Sequence, residues 1–132
     1  TEELAIAMKK VAPKVEVYPD PAGKSRSTTS RRSDHQILRD HGFLIRVKNR
    51  HPSHVDRLNS LNRKLKDAEG NIGMTVDPKC IYLIKDLEQC QRDRRGGLDK
   101  TNIELTHALD ACSYGIEYKY PIRKMTGATI KW

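Results

Sequence analysis

The stretch Val15-Glu16-Val17-Tyr18-Pro19-Asp20-Pro21-Ala22-Gly23 constrains the fold more than any other part of the chain. Val15 and Val17 share one face of an extended segment, because side chains two apart point the same way. Pro19 and Pro21 each lack a backbone donor and fit poorly in a central ladder. The pattern therefore predicts a strand over 15–18 that stops by about Asp20, with a turn behind it. A carboxylate at the C-terminal lip of a strand in an α/β sheet stands where such sheets place their ligands. Asp20 is the first candidate site residue.

The segments around it alternate in period. Leu4, Ala7, Met8 and Val11 recur at helical spacing, and Pro13 closes a helix over 2–11. Ser33 caps a second helix, with Gln36 at the capping-box position and Gly42 at its end. Phe43 to Val47 reads as a second strand. Strand, crossover helix and strand imply parallel pairing with a right-handed connection. A longer helix over 53–68 follows, with Leu58, Leu61, Leu65 and Ala68 as its buried stripe. A third short strand is expected over 72–76, closed by Asp77-Pro78. Another helix is expected over 79–92, with Cys80, Leu83, Ile84 and Leu87 on its core side. Asp93 to Gly97 is rich in turn residues, and the last helix is expected over 104–118. The fold class is α/β, a mixed sheet flanked by helices.

With 132 residues the chain is one domain with room for a single core. No apolar run approaches the ~20 residues that a membrane span needs. Without an initiator Met, it reads as a piece of a longer chain. Cys80, Cys90 and Cys112 are odd in number and lack metal-ligand spacing, so they read as reduced thiols, Cys80 and Cys112 in the core.

Charge is unevenly spread. Between Pro21 and Lys66 twelve Lys/Arg face three acids, a local +9 in a chain of net charge +8. Such concentration points to a polyanion, against the plain alternative of a basic solvated face. Lys24, Arg26, Arg31 and Arg32 lie in a polar loop over 22–32 without hydrophobic periodicity, an arm suited to backbone phosphates. Arg57 on the following helix is a further candidate, with Asp56 placed either to orient it or simply to favour the helix N-terminus. Gly23-Lys24-Ser25 lacks the upstream glycine of a P-loop, since position 18 is Tyr. Aromatic content of 5% argues against a base-stacking single-strand binder.

The last helix carries the second informative acid. Leu105, Leu109, Cys112 and Ile116 form an apolar stripe, while Thr106, Asp110, Ser113 and Glu117 share another face. His107 is placed beside Asp110. Ser113, His107 and Asp110 crowd one helix and cannot form a hydrolytic triad. His35, His41, His51 and His54 make no helix-spaced metal pair and read as surface or capping residues.

Tyr18-Pro19-Asp20-Pro21-Ala22-Gly23, Ser33-Asp34 through Gly42-Phe43, and Val55-Asp56-Arg57-Leu58-Asn59 resemble the nuclease domain of the large terminase subunit of tailed phages. Asp99-Lys100, Leu105 to Ala111, Tyr114 and Tyr120-Pro121-Ile122 continue the resemblance in order, up to about Arg123, leaving 124–132 as a tail. The resemblance implies an RNase H-like fold. It also implies a metal-dependent endonuclease that cuts concatemeric viral DNA during packaging in the host-cell cytoplasm. The expected partners are double-stranded DNA, other terminase or portal components and further copies of the chain. It places metal-holding catalytic acids at Asp20 and Asp110, with His107, Lys100 and Asp34 as auxiliaries. The expected cofactor is Mg²⁺ or Mn²⁺, hard cations that prefer carboxylate oxygen. The family's first acid lies on an earlier strand, so this chain corresponds to the C-terminal part of the domain, weakly active alone. The alternative expectation is a non-catalytic nucleic-acid-binding or assembly module with a degenerate cleft.

Overall fold

The structure is a computed structural model that describes residues 1–26, 31–101 and 106–122. Within them the chain forms α1 (Glu2–Val11), β1 (Glu16–Val17), a 3₁₀ turn (Pro21–Lys24), α2 (Asp34–Asp40), β2 (Leu44–Ile45), α3 (His54–Leu65), α4 (Ile81–Gln89) and α5 (His107–Lys119). The class is mixed α/β: five helices and one two-stranded parallel sheet among the described residues.

β1 and β2 pair in parallel, Glu16 opposite Leu44 and Val17 opposite Ile45. Both strands are shorter than the expected 15–18 and 43–47. The ladder extends one bond further, from Arg46 N–H to the Val17 carbonyl at 2.9 Å, before Pro19 removes the next donor. α2 crosses between them. Ser33 caps it as its sequence predicts, accepting from the Gln36 N–H at 3.2 Å. Gly42, at φ +79°, turns the chain into β2.

Two apolar clusters hold the chain together. Ala5, Ile37, Leu38 and Phe43 join α1 and α2 to the sheet, with Met8, Val17 and Ile45 against them. Leu58, Leu61, Leu98 and Leu109 join α3 to α5, with Leu65, Met74, Leu87, Cys112 and Ile116 packed around. α3 and α5 run the same way. Arg57 near the start of one meets Asp110 near the start of the other, and Lys64 near the end of α3 covers Tyr120 just past α5.

Several expectations are corrected. Residues 72–76 form no strand. α3 stops at Leu65 because Lys66 is extended and Asp67 builds a turn, its Oδ1 accepting from Glu69 N–H and Asn71 N–H. Gly73 N–H then bonds back to the Lys64 carbonyl at 3.0 Å, which ties this segment to the helix end instead of to a sheet. Cys80 is exposed ahead of α4, not in the core. α1 is rotated from its apparent stripe: Ala5 is buried, whereas Leu4 and Val11 are exposed. α5 begins at His107; the expected start at Glu104, the stripe residue Leu105, and the tail over 124–132 lie outside the described residues. No helix among the described residues is long and apolar enough to cross a membrane.

Candidate active site

Asp20 ends the strand segment and caps the 3₁₀ turn, its Oδ1 accepting from Ala22 N–H at 2.8 Å. Its carboxylate is half exposed and lies 3.1 Å from His51 Nε2. Its backbone is fixed from below by His35. That residue is 1% exposed, and its Nε2 donates to the Asp20 carbonyl at 2.8 Å. Gly23 permits the contact: a Cβ there would stand 2.9 Å from His35 Cδ2 and Nε2. His35 is therefore an internal lock on the Asp20 turn, not the surface residue expected.

Asp110 sits in the first turn of α5 with both oxygens engaged. Arg57 Nη1 donates to Oδ1 at 2.9 Å and Lys100 Nζ to Oδ2 at 2.5 Å. Burial pushes the carboxyl up, but the bonds and charges of Lys100 and Arg57 outweigh it and hold it below the ordinary aspartate range. Arg57 is 1% exposed and also donates to Ser113 Oγ at 2.7 Å, and its Nε is buried without a partner. That corrects its expected role. A guanidinium sealed under α5 cannot reach a DNA backbone, and Asp110, not Asp56, orients it.

Tyr114 joins the two halves. It follows Asp110 by one helical turn and so shares its face. Arg57 stacks on its ring, 4.1 Å from the centroid, and its hydroxyl lies 3.0 Å from His51 Nε2. Burial, together with the negative charge of Asp20, pushes the phenol up to about 12 against the opposing charge of Arg57. Asp20, His51, Tyr114, Arg57, Asp110 and Lys100 thus form one connected polar network. His54, behind His51, is pushed down by burial and by Arg57.

The polar face of α5 is a second buried face. Thr106 and Ser113 are fully buried and Glu117 nearly so, paired with Lys48 from the segment after β2. Asp86 of α4, 3% exposed, accepts from Ala108 N–H at 2.9 Å and Leu109 N–H at 3.0 Å, and so caps the α5 N-terminus. An acid on the apolar stripe of α4, one residue before Leu87, was its only sequence signal.

Of the auxiliaries, Lys100 is beside Asp110 as expected. His107 is exposed at the start of α5, and the Asp110 carboxylate is held by Arg57 and Lys100 instead. Asp34 opens α2 and accepts from the Thr1 hydroxyl, away from Asp110. Lys24, Arg26, Arg31 and Arg32 surround one surface recess with Ser33 and Gln36. Lys24 reaches the Asn49 carbonyl at 3.3 Å, and Arg32 is paired with Glu2 and Asp40.

The donors suit a hard cation in kind, being carboxylate oxygens, and the Lys100 ammonium shows that positive charge is favoured on Asp110 Oδ2. Their number is small: no group of three His, Cys, Asp or Glu able to hold a metal occurs among the described residues. No protein-family model matches the chain, and no curated protein and no solved structure matches it.

Proposed function

We propose that the chain is part of a metal-dependent phosphodiester hydrolase with an RNase H-like fold. Within that class we infer the C-terminal part of a terminase nuclease domain, acting on concatemeric viral DNA in the host-cell cytoplasm. The observation that carries this reading is that Asp20 and Asp110, ninety positions apart, are linked through Tyr114: Asp20 by His51, which meets the Tyr114 hydroxyl, and Asp110 by Arg57, which stacks on the Tyr114 ring. The order of the resembling segments favours the particular family, and the parallel β1–β2 pair flanked by helices accords with its fold. Double-stranded DNA is the partner it implies, with terminase or portal components and further copies beside it.

Asp20 and Asp110 would hold Mg²⁺ or Mn²⁺, and Lys100 would have to release Asp110 Oδ2 for that purpose. Such an ion supplies a Lewis acid for the phosphate and an activated water. The protein's own part is positional. Arg57, itself held by Ser113, fixes the rotamer of Asp110, His35 fixes the Asp20 turn, and Lys24, Arg26 and Arg31 offer charge to the backbone.

Nicking of supercoiled plasmid in Mn²⁺ tests it. Weak nicking that disappears in Asp20→Ala and in Asp110→Ala is the expected result. A second reading has its own support, since both Asp110 oxygens are already neutralised by Arg57 and Lys100. That is the arrangement of a non-catalytic nucleic-acid-binding or assembly module. DNA binding without nicking, unchanged by either substitution, decides for it.

A further inference from the structure

At the other end of the α3–α5 pair lies a recess of about 370 Å³, inside the ~300–1,000 Å³ range of small-ligand sites. One wall is cationic. Arg63 and Lys64 project from the last turn of α3, and the Lys64 ammonium sits 3.8 Å above the Tyr120 ring. Pro121, Ile72 and the part of Tyr120 that Lys64 leaves uncovered supply the apolar lining; Tyr120 and Ile72 are 47% and 68% exposed. Asp67 is the one carboxylate among the described lining residues, and its oxygens are spent on Glu69 N–H, Asn71 N–H and the Asn71 amide.

Two details mark this as more than a crevice. Ser60, one turn before Lys64 on the same helix, lines the recess, is 2% exposed, and its hydroxyl has no hydrogen-bond partner among the described residues. A buried hydroxyl without a partner costs about 1–3 kcal/mol, and a ligand oxygen would remove that cost. Gly73 closes the wall so tightly that a Cβ would stand 3.0 Å from the Lys64 carbonyl. A side chain there would press on the α3 backbone, which would have to give by a few tenths of an ångström.

We propose that this recess binds a nucleotide, its phosphate on Arg63, Lys64 and the Ser60 hydroxyl and its base against Tyr120, Pro121 and Ile72. Arginine matches phosphate bidentately and lysine adds a point charge. A flat base suits an aromatic and aliphatic wall. The nucleotide is either free or the terminal unit of a DNA strand, and the site does not depend on the acids at the opposite end.

Amide NMR titrations of the whole chain separate these cases. The probes are dTMP, 5′-phosphorylated oligo(dT) of four units, and inorganic phosphate. Saturable shifts at Ser60, Lys64 and Gly73 with dTMP support a free nucleotide; the same shifts with the oligonucleotide alone support a strand terminus. Inorganic phosphate binding as tightly as either overturns the nucleotide assignment, as does the absence of saturable shifts below about 10 mM. Exposed Arg63→Ala should weaken dTMP or oligonucleotide binding about tenfold. Ser60→Ala should weaken it about fivefold while thermal stability stays level or rises, because the hydroxyl has no partner to lose. Unchanged affinity in both variants overturns the proposal.

Discussion

Arg57 is clamped between Asp110 and Tyr114: its Nη1 donates to Asp110 Oδ1 at 2.9 Å while its guanidinium stacks 4.1 Å from the Tyr114 centroid. One buried arginine thus fixes two residues a helical turn apart on α5. Arg57→Met keeps much of the stem's packing but leaves Asp110 and Ser113 without their donor. Removing one partner of a buried ion pair costs about 3–5 kcal/mol, and the remaining Lys100 contact should bring this variant to the lower end. Urea denaturation reads the loss as a lower midpoint. An unchanged midpoint would mean that Arg57 is dispensable to the fold.

Asp110 makes stability depend on acid. Its folded pKa lies below the ordinary aspartate value of about 3.9, so its contribution is complete above that value and is lost as pH falls through the folded pKa. Asp110→Asn should therefore be less stable than wild type at neutral pH, with the gap closing below about pH 3.9. A gap that persists at the lowest pH would show that amide geometry, not charge, accounts for it.

Lys100 competes for the carboxylate that the proposed ion needs. The pair is partly exposed, so its removal is worth roughly 1 kcal/mol or less. Lys100→Gln should lower the Mn²⁺ concentration for half-maximal nicking about threefold. Calorimetric Mn²⁺ titration of the two proteins provides the same comparison without the reaction. Equal affinities would count against the ammonium standing in the ion's place.

Asp86→Ala removes the acceptor for two N–H groups at the start of α5. Loss of a helix cap costs about 0.5–2 kcal/mol, and a buried one belongs at the upper end. Circular dichroism melts should show a lower midpoint, and hydrogen exchange at Ala108 and Leu109 should accelerate. Protection that survives the substitution would place the cap elsewhere.

The sequence made the helices legible because their signals are local: Ser33 caps α2 as read, Gly42 ends it, and Ser53 stands at the start of α3. It placed Asp20 just past a strand and Asp110 on α5 for the same reason, whereas Lys100 entered only through the family resemblance. What it could not convey was what covers each face. Thr106, Ser113 and Glu117 look like a solvent stripe until Arg57 and Lys48 are set against them. Arg57 looks like a DNA contact until α5 closes over it. The false strand over 72–76 came from short apolar alternation, which a tethered loop satisfies equally well once Asp67 and Gly73 hold it to α3. His35 carries no local hint of burial, because its partner is a carbonyl fifteen residues away.

For the proposed DNA partner, the candidate contacts that remain are the exposed basic residues Lys24, Arg26 and Arg31. Arg57 is withdrawn into the core, and Arg32 is already paired with Glu2 and Asp40. Lys24, Arg26 and Arg31 are left as the stronger candidates of the original five, all exposed around one recess. Each phosphate they neutralise releases counterions, contributing about 0.9 to the slope of log K against log salt. Replacing Arg26 and Arg31 by Ala should therefore lower the slope by nearly 2 and weaken binding uniformly across DNA sequences. Arg32→Ala should change it less, because its charge is partly spent within the protein. Fluorescence anisotropy with a duplex at several salt concentrations gives the slopes. A slope near zero in wild type would remove the arm as a DNA track, and equal losses for Arg26 and Arg32 would mean that the Glu2–Arg32–Asp40 pairing opens on binding.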